Sequence, residues 1–253
     1  MQAKQFTYHN LGYWFLLFIV LAFAGFYQTY FVKLLDIKTP IIHIHFLLMG
    51  LWILMLIAQP FLIKYKKLAT HRFLGKVSYV LVPLVLLSAW LLARSEYHRK
   101  IARLTEAASA GLNNLSEFEI LKKASTNPAT IVALFVFATF YLLAIWYRKQ
   151  SAKHARYMLA TALILLGPSV DRIIFINLGI NRLLGSSPYF VSMLMIDLIL
   201  AVLLYIDFKN NRETKTLTYC LLIFVASQLA FYLLPTFDWW SVFVKGVMLP
   251  NAW

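Results

Sequence analysis

The chain has 253 residues, 61% of them hydrophobic and only 13% charged, with a formal net charge of +14. A soluble domain carries about 25% charged residues and at most about half apolar ones, so an ordinary water-soluble globule is excluded. The Lys and Arg residues sit in short connections between apolar runs and form no basic face on a soluble fold, which excludes a nucleic-acid-binding protein.

The apolar runs are about 20 residues long, enough to cross a hydrocarbon core roughly 30 Å thick at about 1.5 Å per residue. Backbone groups in lipid must be satisfied within the segment, so the runs predict helices. The alternation of a membrane barrel is absent. The single cysteine, Cys220, lies inside an apolar run and excludes an internal disulfide or a multi-cysteine metal cluster. The expected fold is therefore all-α: one polytopic membrane domain over 1–253 with about seven spanning helices.

The first predicted helix covers 12–33 and carries Gln28 and Tyr30 toward its end. Lys4, the apolar stretch from Leu11 and Ala22-Phe23-Ala24 imitate a cleavable signal peptide, but the segment reads as the first membrane helix. The second helix, 42–63, follows Pro40 and opens with His43 and His45. Two residues apart on an ideal helix point about 200° away from each other, so the two imidazoles are not expected to share a metal. His45, Trp52 and Gln59 recur at intervals of seven and share a face.

His71-Arg72 and Gly75 lead into the third helix, 75–95. The long connection 96–127 contains Ser116-Glu117-Phe118-Glu119, the pattern of a capping box at a short helix. The fourth helix, 129–147, follows Pro128. The fifth, 155–178, is opened by His154 and Arg156 and later holds Gly167-Pro168, a local breaker, then Asp171-Arg172. The sixth, 188–207, begins at Pro188 and carries Asp197. The seventh, 216–235, carries Gln228. The tail 236–253, with Trp239, Trp240, Phe243 and Trp253, is expected to lie along the membrane surface as an aromatic anchor.

Short-loop charges set the orientation. Lys64, Lys66, Lys67, Arg72 and Lys76 fall on the same side as Arg148, Lys149, Lys153 and Arg156, and as Lys209, Arg212 and Lys215. That side is expected to be cytoplasmic, with the N-terminus inside and the C-terminus outside in a bacterial cytoplasmic membrane. Ionisable residues inside membrane helices are costly and point to function. The topology sorts them into an outer cluster of His43, His45, Asp171, Arg172, Asp197 and Gln28, and an inner cluster of His71, Arg72, His154 and Arg156.

An ion pair of Arg172 with Asp171 or Asp197 is one expectation for the outer cluster, and a bound ligand is the other. In the inner cluster, one expectation is contact with lipid phosphates. The other is a b-type haem held between His71 and His154, one imidazole from each of two helices. His45, His71 and His154 are the candidate metal ligands. No metalloprotease helix, phosphate loop or nucleophile elbow occurs. The seventh helix has no Lys for a retinal Schiff base.

The stretch from His45 through Gln59-Pro60-Phe61 to His71-Arg72-Phe73-Leu74-Gly75-Lys76-Val77-Ser78-Tyr79, followed by His154-Ala155-Arg156-Tyr157-Met158 and Arg172, resembles the bacterial membrane family catalogued as domain of unknown function 2306. The resemblance covers helices 2 to 5. It departs at Ala58-Gln59-Pro60, where a Gly-Pro pair is expected, and at Lys76 in place of Arg. It implies that His45, His71, His154 and Arg172 are the characteristic polar positions, and it implies no reaction. The sequence thus predicts a membrane-embedded cofactor or small-ligand site, with haem or quinone as redox-linked candidates. The alternatives are a transporter or lipid-binding protein, and a structural subunit or assembly factor of a larger membrane complex. The expected partners are the lipid bilayer, a small molecule or other membrane subunits, and not nucleic acid.

Overall fold

A computed structural model describes residues 10–182 and 187–248. Lys4 and Trp253 lie outside the described residues. Those described form helices and connections, with no strand among them. The helices are α1 (Leu11–Phe26), α2 (Pro40–Lys64), α3 (Leu68–Ser109), α4 (Glu117–Ala124), α5 (Ala129–Trp146), α6 (Ser151–Leu163), α7 (Leu166–Arg172), α8 (Pro188–Lys209), α9 (Lys215–Leu233) and α10 (Asp238–Met248). A π-helical segment, Tyr27–Phe31, extends α1, and a second, Ile173–Asn177, extends α7.

Seven helical units are long and apolar enough to cross a membrane, with α6, α7 and the second π segment forming one of them. In six units 22–28% of the apolar window is buried, whereas in Ser151–Asn177 the figure is 56%. The fifth span is therefore the centre of the bundle. The others pack around it and leave a large apolar surface, including Leu47, Leu54, Phe135, Leu142 and Leu198, that only lipid can cover at low cost.

Local chemistry explains the boundaries. α2 begins on Pro40, whose missing N–H would be unpaired there in any case. The fifth span breaks at Ile164–Leu165 because Pro168 has no N–H to offer the carbonyl one turn earlier. α1 and α7 then cross at very close range. A Cβ added to Gly25 would lie 2.5 Å from the Ser169 carbonyl oxygen, so only glycine permits the approach. Asn177 Nδ2 donates to the Ala24 carbonyl just beyond that crossing.

The short connections after α2, α5 and α8 lie at one end of the bundle, here the basic end. The opposite end carries a helical cap. α3 continues to Ser109, past the expected end near 95, and its 42 residues measure roughly 63 Å, about twice the hydrocarbon thickness. The capping box forms as expected: Ser116 Oγ accepts from Glu119 N at 3.3 Å, and the Glu119 carboxylate accepts from Ser116 N at 2.8 Å. α4, α10 and the end of α3 enclose a small second core of Tyr97, Ala124, Ile131, Trp240, Val244 and Met248.

The aromatic tail is thus divided. Trp240 is buried in the cap and donates to the Ser125 carbonyl at 2.9 Å, while Trp239 and Phe243 are exposed. Arg94 and Trp90 of α3 clamp the end of α10 by donating to Met248 O at 2.9 Å and Val247 O at 3.3 Å.

Candidate functional site

Toward the cap end, α1, α2, α7 and α8 bring together much of the predicted outer cluster. His43 and His45 diverge as their spacing requires. His43 donates from Nε2 to the Ile37 carbonyl at 3.1 Å, so its Nδ1 accepts the Tyr30 hydroxyl at 3.1 Å. Tyr30 stacks on Phe46 with ring centroids 3.8 Å apart. These contacts fasten the start of α2 to the π segment of α1. The extra residue in that π turn is a backbone irregularity of a kind common at functional sites.

His45 turns instead toward α3. Ser88 Oγ donates to the Val85 carbonyl at 2.9 Å, so it accepts from His45 Nδ1 at 2.9 Å. The neutral His45 ring then carries its lone pair on Nε2, and among the described residues that atom has no hydrogen-bond partner. The charge of Arg172 acts on this imidazole.

Arg172 itself has an unusual environment. Its guanidinium lies over the Phe26 ring at 4.4 Å and donates from Nη1 to the Pro168 carbonyl at 3.0 Å. Among the described residues no carboxylate lies within 4.0 Å of it. The expected ion pair with Asp171 or Asp197 is therefore not formed. Asp197 of α8 accepts from Gln228 Nε2 of α9 at 2.7 Å, a bond that ties those two helices. Adjacent residues on a helix diverge by about 100°, which turns Asp171 away from Arg172 toward Ser192 and Tyr189 of α8. One carboxylate oxygen of Asp171 and one of Asp197 are buried without a partner. Gln28 is exposed and outside this group.

The inner cluster separates into two parts. His154 donates from Nδ1 to the Ala144 carbonyl at 2.8 Å. Its charge acts on His71, so the two imidazoles are near each other at the basic end. Gln59 Nε2 donates to the His71 carbonyl at 3.3 Å, while His71 Nδ1 and Gln59 Oε1 are buried without partners. Arg72 is exposed.

Arg156 is the correction. It was expected at the lipid surface, yet it is 2% exposed and embedded among α6, α8 and α9. Its Nε and Nη2 donate to Asp207 Oδ2 at 3.0 and 2.6 Å, and Nη1 lies 3.5 Å from Glu213 Oε2. Arg212 adds a contact to Asp207 Oδ1 at 3.5 Å. Glu213 also caps α9, accepting from Thr216 N at 2.8 Å. A cavity of about 10 Å³ bordered by Arg156 and Asp207 has room for about one water. Asp207 and Glu213 escaped notice in the sequence because their neighbours are basic loop residues. The two acids Asp207 and Glu213 bracketing Arg212 in one otherwise basic short connection were the available signal.

Among the described residues no group of three or more His, Cys, Asp or Glu could hold a metal ion. His45 lies toward the cap end and His71 and His154 at the basic end, so the three candidate ligands share no site. A haem between His71 and His154 meets half of its requirement. Ligating imidazoles donate their second N–H to an acceptor. His154 does so, but His71 Nδ1 has no acceptor. The pair does not fit the group, and no chemistry is derived through it.

Comparison with known protein families, curated proteins and solved structures finds no match to this chain.

Proposed function

We propose that the protein binds a membrane-soluble small molecule in a pocket formed by His45 and Arg172, and that the molecule has a quinone-like head able to accept and donate hydrogen bonds. One observation carries this reading: among the described residues, an arginine within a membrane span has no carboxylate within 4.0 Å, the charge of Asp171 reaching it only from farther away, and lies beside an imidazole whose Nε2 has no hydrogen-bond partner. A cation in a membrane span with no anion in contact is expensive, and an acceptor oxygen would offset part of that cost. The guanidinium offers donors for a carbonyl oxygen, and His45 Nε2 offers an acceptor for a hydroxyl. Phe26 supplies flat apolar surface beside the guanidinium.

In this reading the pocket lies in the outer half of a bacterial cytoplasmic membrane, with the basic end inside, as the positive charges of the short connections favour. The resemblance to the family of domain of unknown function 2306, which implies His45 and Arg172 among its characteristic polar positions, is part of the same proposal. A transporter of the same ligand is favoured by one further observation, the break at Ile164–Leu165 in the central span, since discontinuous helices form midplane sites in transporters.

The test is calorimetric titration of the protein in lipid nanodiscs with a short-chain benzoquinone and its quinol. Binding that falls at least about tenfold in Arg172→Leu and in His45→Leu supports the reading. Binding that is absent, or equal in all three proteins, overturns it.

A further inference from the structure

The polar groups that the pocket does not use form a line. Trp52 of α2 is fully buried, and its indole N–H has no partner. Two turns on, Gln59 Oε1 and the facing His71 Nδ1 are likewise buried and unpartnered. Between them on the opposing helices, Ser78 Oγ donates to Gly75 O at 2.6 Å and therefore accepts the Tyr141 hydroxyl at 2.8 Å. The Tyr141 ring lies edge-on to Trp52 at 5.9 Å. At the cap end the line meets His45 and Ser88, and at the basic end it meets His71 and His154. His45, Trp52 and Gln59 occupy one face of α2 over fourteen residues, so the line runs for roughly 21 Å along the helix axis.

A buried polar atom left unpaired is unfavourable, and natural proteins meet the deficit with ordered water. Trp52 Nε1 is a donor, Gln59 Oε1 an acceptor, and His71 Nδ1 either, so water oxygens and hydrogens both find partners. Successive side chains of the line stand about 10 Å apart along the α2 axis, beyond a direct hydrogen bond, so a relay between them requires water.

We propose that the interface of α2 with α3 and α5 is a hydrated proton path from the His45 pocket to His71 and His154 at the basic end. Water and the imidazoles relay the proton, and the Tyr141 oxygen, whose own proton goes to Ser78, accepts from the waters. Trp52 and Gln59 hold the waters in place. A proton enters from water at one end and another leaves to water at the other, so no group is changed by a complete transfer. The path needs no ligand in the pocket and stands apart from the quinone reading.

The test is proton flux into liposomes containing the protein, driven by a potassium gradient with valinomycin and followed with an entrapped pH-sensitive dye, with no quinone present. The wild type is expected to exceed protein-free liposomes by about tenfold, and Gln59→Leu to lose most of that excess. Gln59→Glu keeps the acceptor and is expected to retain flux, as is the lipid-facing change Leu54→Ala. The melting temperature of Gln59→Leu in detergent should match the wild type, which shows that the variant folds. A wild-type flux equal to that of protein-free liposomes overturns the path, as does undiminished flux in both Gln59→Leu and Tyr141→Phe.

Discussion

Two arginines lie in the same central span and are treated in opposite ways. Arg156, near its start, is enclosed by Asp207 and Glu213 and shares Asp207 with Arg212. Arg172, near its end, has an aromatic ring and one carbonyl. The first environment is complete within the chain. Its two acids and two bases cancel locally, and the network ties α6 to α8 and α9. The second leaves guanidinium donors with no carboxylate in contact among the described residues. Charge in a membrane span marks function only where the protein has not already neutralised it.

The largest expected effect falls on the compensated side. Arg156→Met leaves Asp207 buried against a smaller positive charge and should lower stability by about 3–5 kcal/mol, read as loss of folded protein in thermal unfolding in detergent. Replacing Asp207 by Leu in the same chain should recover part of that loss. If the double variant is no better than the single, the network is not the reason. Arg172→Leu should leave the melting temperature unchanged or raise it, because a cation with no anion in contact is removed. A drop as large as that of Arg156→Met would erase the contrast.

Next in size is Gly25→Val, which drives a side chain into the Ser169 backbone at the α1–α7 crossing and should cost about 1–3 kcal/mol. It should also disturb the pocket, whose Phe26 and Arg172 sit beside that crossing on α1 and α7. Unchanged stability and quinone affinity would mean that the crossing does not position the site.

The smallest effect concerns the cap. Hydrogen bonds from Ser116 hold the Glu119 carboxyl below the ordinary carboxylate value. A folded value depressed in this way contributes stability above that range and loses it as pH falls through it. Amide exchange at the start of α4 should therefore quicken on acidification, and Ser116→Ala should remove that dependence. Exchange that ignores both would show that α4 is held by its packing alone.

The sequence made the spans legible because apolar runs of membrane length admit few structures. It placed the capping box correctly because Ser116 and Glu119 interact within one turn. The extension of α3 to Ser109 was hidden by its charge, although its Ala, Glu, Lys and Arg residues are good helix formers. Trp240, Val244 and Met248 recur every four residues, a buried face that aromatic content alone concealed. The seven-residue recurrence of His45, Trp52 and Gln59 was visible and corresponds to an interior face. The π segments and the Gly25–Ser169 contact were not legible, since both depend on how α1 meets α7. The ion pair expected for Arg172 failed for a related reason. Sequence adjacency places Asp171 beside it along the chain but not on the same side of the helix.

The central claim is that Arg172 is held without a contacting anion so that it can bind a ligand. Its most direct test is the affinity of the wild type and Arg172→Leu for a short-chain benzoquinone in nanodiscs, with the melting temperature measured on the same samples. The account predicts binding that weakens at least about tenfold in the variant while the fold is as stable as before. Equal affinities in the two proteins, or no binding to either, would contradict it.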